Sequence, residues 1–526
     1  MKIFKKKIVK FVKNNQTEVI ILSLILLVGA FLRFYRLPEY MTFLGDEGRD
    51  ALVWLRMIRN GKFVLIGPVT SIGNMYLGPL YYYFALPWFF LFGLSPIGPS
   101  AMVAFLGVVT IGFVWWVGRE WFDQQAGLIA ALLYAVSPVV IVYSRSSWNP
   151  NIMPFFALLT IYGVYQFWLK QRFWWIPIVG LGLSFALQSH YLGLLLIPTV
   201  SFFWLLTLKD VLKNKAKIKS LFLYTLVCVL IFGVLTILPL AWFDLRHNFI
   251  NFKAFKAFFT VRQTTVNLKF YKAIPQIWNL ASQVWTRLIA AKNEAYGGWL
   301  VILTILGLVG FSFNRYSRKP NWSKIWQENK PLFLILIWLI VGLFGLGNYK
   351  QHIYDHYFGF FFPAPFLLVG WVLSQTWQKK IYGKIIFFVI FTFLISLACQ
   401  NNLLKRASNN QLGRTQEIAQ FLVGQAKGKP FNLGLIAERN YAAAYAFFME
   451  KWGIPPTAIE PLRTEETITD QLFVVCEKLP CQPTTDPQAE IANFGWSKID
   501  QEWEVKGIKI YKLIHSYPNE EILEKK

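Results

Sequence analysis

The chain has 526 residues, of which 55% are hydrophobic and 18% aromatic, and its formal net charge at pH 7 is +25. A mean hydropathy of +0.41 excludes an ordinary soluble globular protein. In a membrane protein, an excess of Lys and Arg is typical of cytoplasmic loops, so the positive charge does not indicate a nucleic-acid partner. The partner that the composition indicates is the lipid bilayer.

The amino terminus combines a basic stretch with a long apolar run. Residues 1–16 begin with MKIFKKKIVKFVKNN, and an apolar run extends from Val19 to Phe34. No small-residue cleavage site follows this run, which argues against a signal peptide. We therefore predict an uncleaved first helix with the amino terminus in the cytoplasm.

Eleven apolar runs reach the roughly 17 to 25 residues that a helix needs to cross a bilayer. They predict an all-α polytopic membrane protein with about eleven transmembrane helices. The runs are 17–34, 98–118, 126–144, 152–169, 173–189, 191–208, 221–242, 297–314, 331–348, 357–376 and 384–400.

A twelfth apolar stretch, 78–94, decides the topology. If it crossed, the basic clusters at 209–219 and 315–324 would face outwards, against the positive-inside rule. Treating it as a juxtamembrane or re-entrant segment places both clusters in the cytoplasm, together with the lysines at 379–384. We adopt this second topology.

The topology predicts three regions in a multi-pass protein of the plasma membrane. Residues 1–16 form a cytoplasmic amino terminus, and 17–400 form a transmembrane domain with a first external loop at 36–97. Residues 401–526 form an exported soluble domain.

The tail after residue 400 has the pattern of a small α/β domain. Residues 472–477 and 508–514 read as strands, and 415–425 and 441–452 carry helical periodicity. The tail shows no catalytic constellation of residues. Its two cysteines, at 476 and 481, lie close together in the sequence. They are the pair that we expect to form a disulfide, provided that the tail is exported.

Carboxylates, imidazoles and arginines gather at the predicted external loop ends. Such a convergence indicates a site for an anionic, lipid-linked substrate, where a carboxylate acts as a base and Arg, His or Tyr holds a phosphate. Taken alone, GDEGRD (45–50) is about as often a solvated turn, and His190 is more often a helix-end histidine. The candidate residues are Asp46, Glu47, Arg49, Asp50, Arg145, Asn149, Asn151, His190, Arg246, His247, His356 and Tyr357.

Four segments make the sequence resemble a known enzyme class. They are GDEGRDA in the first external loop, YLGPLYYY (76–83), GREWFDQQAGLIAALLYAVSP (118–138) and YSRSSWNPN (143–151). In this order they resemble the multi-pass glycosyltransferases of the C superfold (GT-C). The resemblance is to family 39, which includes protein O-mannosyltransferases and bacterial aminoarabinose transferases, and it covers roughly residues 17–376.

The resemblance implies a mannosyltransferase-like enzyme. Such enzymes take a sugar from a polyprenyl phosphate and pass it to a protein, lipid or glycan acceptor on the external face, usually with inversion. It places the catalytic carboxylate on Asp46, with Glu47 beside it. Donor binding is expected at Arg246, His356 and Tyr357, with His190 and His247 as neighbours.

The sequence assigns no cofactor, and a divalent metal stays an open alternative that the second loop disfavours. The acidic positions that related oligosaccharyltransferases carry in the second loop correspond to Asn149 and Asn151 here. This departure argues against a divalent metal, because hard cations favour charged oxygen ligands.

Two other functions remain open at this point. One is a glycan transferase that uses a lipid pyrophosphate donor. The other is a transporter or flippase of lipid-linked sugars, since charged residues within membrane proteins also mark transport paths. Transporters often carry inverted repeats; the sequence shows none, and its charges lie at loop ends rather than at mid-helix.

Overall fold

The structure is a computed structural model, and it describes residues 10–70, 73–260, 266–267, 269–314, 322–438 and 440–516. The chain divides into two compact units. The membrane unit comprises Met1–Tyr35, Val64–Ala85 and Ser100–Ala407, and the tail unit comprises Arg36–Phe63, Leu86–Pro99 and Ser408–Lys526. Much of the predicted first external loop therefore clusters with the tail.

Seven helices among the described residues are long and apolar enough to cross a bilayer. Eighteen residues at about 1.5 Å each give roughly 27 Å, close to the thickness of the hydrocarbon core. An eighth span results if Asp355–Phe361 and Pro363–Trp377, which meet at a 65° bend, are one crossing. The chain is a multi-pass membrane protein. The seven helices are Gln16–Phe34, Ile97–Trp121, Tyr191–Val211, Lys215–Arg246, Glu294–Ser312, Lys330–Gly347 and Ile381–Gln400.

The predicted apolar runs all coincide with helices, but three of them fall on shorter helices. The run 126–144 is interrupted at Ser137, between Gln124–Val136 and Pro138–Tyr143, because proline starts a new helix more easily than it continues one. The number of eleven crossings stays a prediction. The other helices of the membrane unit are Met153–Trp168, Ile176–Ser189, Ile250–Thr260, Ile277–Leu288 and Trp322–Glu328.

The segment 78–94 contains one short helix, Leu80–Leu91. Its 12 residues span about 18 Å, too little to cross the hydrocarbon core alone. A short hairpin of β1 (Val69–Thr70) and β2 (Gly73–Tyr76) precedes it. Whether 78–94 crosses the membrane stays a prediction.

The tail unit contains a four-stranded sheet formed by β3 (Asn432–Ile436), β4 (Gln471–Cys476), β5 (Ser497–Val505) and β6 (Ile508–His515). Its strand order is β3-β4-β6-β5. Strands β3 and β4 are parallel, and the other pairs are antiparallel. The strands predicted at 472–477 and 508–514 are confirmed as β4 and β6, whereas β3 and β5 were not predicted.

The helices predicted in the tail are also confirmed, as Gln411–Ala426 and Ala443–Lys451. Cys476 at the end of β4 is joined to Cys481 in a disulfide, as predicted. The tail is therefore an α/β domain with a covalent link after its second strand.

The GDEGRD motif is the start of a 16-residue helix, Gly45–Asn60, here called the acidic helix. It packs on helix Ala443–Lys451, and a Cβ at Gly48 would lie 2.3 Å from the Cα atom of Ala444. Arg56 forms an ion pair with Glu450, with 2.6 Å between Nη2 and Oε2. The close backbone approach needs a glycine at position 48, so the packing fixes where the acidic motif lies in the tail unit.

The charge-based topology predicts which positions are accessible from outside the cell. In a background with both free cysteines, Cys228 and Cys399, replaced by alanine, we expect Asn214→Cys to be shielded from an impermeant thiol reagent and Asn409→Cys to react. Both positions are exposed in the structure, so burial does not explain a difference. Both should react after solubilisation, and labelling of intact cells at position 214 would contradict the topology.

Candidate active site

Asp46, the predicted catalytic carboxylate, lies in the first turn of the acidic helix. Its Oδ1 atom accepts hydrogen bonds from Arg49 Nη1 at 2.9 Å and from the Tyr441 hydroxyl at 2.7 Å. Its Oδ2 atom accepts none from the residues that the structure describes, and 41% of the side chain is exposed. One oxygen is thus held in place while the other remains available to take a proton.

Glu47 is oriented differently, although it is the next residue. It is only 4% exposed, and its Oε2 atom accepts a hydrogen bond from the backbone N–H of Leu44 at 3.1 Å. Burial, reinforced by the charges of Asp46 and Asp50, raises the pKa of Glu47 to about 7. By accepting this hydrogen bond from the N–H of Leu44, Glu47 stabilises the start of the acidic helix.

Arg49 connects the two aspartates of the motif. Its Nε and Nη2 atoms donate to Oδ1 of Asp50 at 3.0 and 2.8 Å, while Nη1 donates to Asp46. The side chain of Asp50 is fully buried, so its charge needs this partner. Arg49 and Asp50 therefore hold Asp46 in one orientation.

Three of the predicted donor-binding residues meet in the membrane unit, in a group that we call the histidine cluster (His190, His356 and Tyr357). The ring centroids of His190 and Tyr357 are 5.0 Å apart, and those of His356 and Tyr357 are 4.6 Å apart. His190 Nδ1 accepts from the N–H of Leu192, so a neutral ring carries its proton on Nε2. His356 Nδ1 is buried without a hydrogen-bond partner among the described residues.

Two cations beside the histidine cluster were missed by the sequence analysis. Arg287 Nη1 and Lys292 Nζ each lie 2.8 Å from Asp355, one on either carboxylate oxygen. Asp355 is only 6% exposed and directly precedes His356. Two cations on one carboxylate leave a net positive charge at this place. The signal in the sequence was Asp355 itself, which needs a cationic partner when it is buried.

Arg246 and His247 are not brought to the cluster. Arg246 is exposed and its guanidinium stacks on Trp242, 5.2 Å from the ring centroid. His247 Nδ1 lies 2.8 Å from the carbonyl oxygen of Phe243. The buried member of this segment is Asp244, which accepts from the N–H groups of Asn251 and Phe252 and caps the next helix. The donor-binding roles of Arg246 and His247 stay predictions.

The three remaining candidates have hydrogen bonds within the membrane unit. Arg145 donates to the carbonyl oxygens of Leu32 and Tyr35, both at 2.6 Å, at the end of the first helix. Asn149 Nδ2 donates to Ser189 O at 2.6 Å, immediately before His190, and Asn151 Nδ2 donates to Ser146 O at 2.8 Å. Asn149 thereby helps to fix the backbone that carries His190.

No group of three or more His, Cys, Asp or Glu side chains suited to a metal ion occurs in the described part of the chain. The structure thus presents two sets of candidate residues. One, in the tail unit, can accept a proton, and the other, in the membrane unit, can bind an anion.

Comparisons with known proteins agree with the resemblance seen in the sequence. A family model described as dolichyl-phosphate-mannose-protein mannosyltransferase matches residues 77–242. None of the curated proteins matches the chain.

Solved structures share the fold. Crystal structures of ArnT from Cupriavidus metallidurans align with TM-scores of 0.59 (bound to undecaprenyl phosphate) and 0.57 (apo). The first is 12% identical and covers 95% of this chain and 98% of that chain. The oligosaccharyltransferase of Archaeoglobus fulgidus, tethered to an acceptor peptide, aligns with a TM-score of 0.50 and 13% identity, covering 88% and 69%. The chain has the GT-C-like fold of these glycosyltransferases.

Proposed function

We propose that this protein is an integral-membrane glycosyltransferase that moves a sugar from a polyprenyl-phosphate donor to a hydroxyl acceptor, with Asp46 as general base. The observation that carries the proposal is the hydrogen bonding of the Asp46 carboxylate. Arg49 and Tyr441 hold its Oδ1 atom, and its Oδ2 atom accepts no hydrogen bond from the described residues. A carboxylate with one fixed and one available oxygen suits proton abstraction.

The histidine cluster, together with Arg287 and Lys292, supports an anionic donor. Arginine, lysine and an imidazole N–H are donors suited to phosphate oxygens. The proposal is also supported by the fold shared with ArnT, whose crystal structure is bound to undecaprenyl phosphate. We assign the donor phosphate to this group of residues and keep Arg246 and His247 as the alternative that the sequence suggests.

The proposed reaction is a single displacement. The acceptor oxygen attacks the anomeric carbon and gives its proton to Asp46, and the bond between that carbon and the phosphate oxygen breaks. Polyprenyl phosphate leaves with the bond's electron pair, and cationic side chains stabilise its growing charge. Direct displacement inverts the anomeric centre, and we propose a mannosyl-type sugar. We place the reaction at the external face of the plasma membrane.

Purified protein reconstituted in lipid tests the proposal. We expect it to release polyprenyl phosphate from a polyprenyl-phosphate mannose or a related donor when an acceptor is present. Release from a polyprenyl pyrophosphate donor alone would favour the pyrophosphate transferase. Movement of intact donor across proteoliposomes without cleavage would indicate a flippase, and the glycosyltransferase proposal would fail.

A further inference from the structure

The segment after β3 contacts the beginning of the acidic helix, and both belong to the tail unit. Asn440 Oδ1 accepts from the backbone N–H of Gly45 at 2.7 Å and from that of Tyr441 at 2.9 Å. Asn440 Nδ2 donates to Glu477 Oε2 at 2.9 Å. Asn440 therefore ties three segments together: the acidic helix, the chain after β3 and the chain after β4.

The location of these residues follows from the sheet. Glu477 directly follows β4, and Asn440 follows β3 by a few residues; these two strands are parallel. The carboxyl ends of parallel strands lie at one edge of a sheet, where α/β folds commonly place functional groups. Tyr445 also reaches this edge and donates to Glu477 Oε1 at 2.5 Å. The edge is therefore a connected set of hydrogen-bonded groups.

Tyr441 projects from this edge onto Asp46. Its hydroxyl donates to Asp46 Oδ1 at 2.7 Å, and burial raises its pKa, so the hydroxyl keeps its proton and remains a donor. Its ring lies over Gly45, where a Cβ atom would lie 2.3 Å from Tyr441 Cδ1. The absence of a side chain at position 45 lets the ring take this place.

We infer that Tyr441 of the tail is a positioning residue for the general base, and that it holds Asp46 Oδ1 so that Oδ2 receives the acceptor proton. The inference rests on the proposed function and extends it, because it makes the carboxyl-terminal domain part of the catalytic apparatus. Tyr441 acts through Asp46 and takes no proton itself. Among the described residues, the charged neighbours of Asp46 on its own helix are Arg49, Glu47 and Asp50, and Tyr441 is its polar contact from the segment after β3.

Tyr441→Phe tests the inference, because it removes one hydroxyl and keeps the ring over Gly45. We expect kcat to fall roughly 10- to 100-fold, the effect of losing a hydrogen bond to a charged group, with donor KM unchanged. A purely structural defect would instead lower the yield of folded protein or raise the donor KM.

A second variant disturbs the contact between Tyr441 and Asp46 without changing either residue. Gly45→Ala places a methyl group where the Tyr441 ring lies, and alanine is a better helix former than glycine. We expect the same loss of kcat, again with an unchanged donor KM. The matched control is Tyr511→Phe, whose hydroxyl lies 3.3 Å from Glu502 between β6 and β5. Its kinetics should equal those of the wild type.

The outcomes separate this inference from the proposed function. If the wild type turns over and Asp46→Asn does not, an unchanged kcat in Tyr441→Phe and Gly45→Ala would overturn the role of Tyr441 alone. If the wild type cleaves no lipid-phosphate donor, both the proposed function and the role of Tyr441 fall.

Discussion

Asp46→Asn is expected to lower turnover by roughly 10²- to 10⁴-fold, the usual contribution of a positioned general base. Asparagine has nearly the same shape, and its Oδ1 atom can still accept from Arg49 and Tyr441. Its amide nitrogen cannot take the acceptor proton. Protein level and donor binding should stay close to wild type, as measured by purification yield and by donor titration. The rate is measured as polyprenyl phosphate released per unit time.

Glu47→Gln is the matched control for Asp46→Asn. Glutamine can accept the same hydrogen bond from the N–H of Leu44, so the helix start is preserved, and turnover should stay near wild type. If Glu47→Gln abolished turnover while Asp46→Asn retained it, the base would be Glu47. If both variants retained turnover, the acidic helix would not carry catalysis.

Glu47→Gln also has an expected effect on stability. Because the pKa of Glu47 is raised from 4.5 to about 7, its protonated form stabilises the folded state. That contribution is complete below about pH 4.3, near the unfolded value, and is lost as pH rises through about 7. Glutamine has no such loss. The difference in melting temperature between variant and wild type should therefore increase from pH 6 to pH 8.

Long apolar helices could be predicted from the sequence because their signal is local. The acidic helix could not, since its first turn contains Gly45 and Gly48, and glycine is among the weakest helix formers. Those glycines serve tertiary contacts instead, with the ring of Tyr441 and the backbone of Ala444. A glycine that is needed for contact with a distant residue weakens the local helical pattern, so the sequence alone does not indicate the helix.

Strand β3 was missed for a related reason. Its five residues, NLGLI, form a short, continuously buried run without alternation, which periodicity cannot distinguish from a helix segment. Its pairing with β4 is what makes it a strand. Missing β3 also meant missing the edge of the sheet where Asn440 and Tyr441 lie, so neither residue was among the candidates named from the sequence.

The acidic motif and the histidines could be named as candidates from the sequence because few residue types serve as bases or phosphate ligands. The cations beside the histidine cluster could not. Arg287 and Asp355 are 68 residues apart in the chain, and no spacing rule connects them. The sequence instead favoured Arg246, which lies in a motif-like segment with His247. The structure shows that the buried group of that segment is Asp244, whose carboxylate caps a helix.

The second large effect is expected on donor affinity. It distinguishes Arg287 from Arg246 as the arginine that binds the donor phosphate. Arg287→Gln removes the guanidinium beside the histidine cluster, and we expect the Kd for a polyprenyl phosphate to rise roughly 10- to 100-fold, as for the loss of a hydrogen bond to a charged group. Arg287→Lys keeps the charge but loses the planar fork that can bind two phosphate oxygens. It should therefore bind the lipid with intermediate affinity.

Arg246→Gln is the matched control for Arg287→Gln, since it removes the same group from an exposed position on Trp242. Its donor affinity should equal that of the wild type. Lys292→Gln removes one of the two cations while Arg287 keeps its ion pair with Asp355. It therefore tests the effect of positive charge on phosphate binding without leaving Asp355 unpaired. A weaker donor affinity in Lys292→Gln with an unchanged melting temperature would place positive charge in the phosphate site. Weak binding in Arg246→Gln with normal binding in Arg287→Gln would move the donor phosphate to the segment around Arg246, where the sequence alone had placed it.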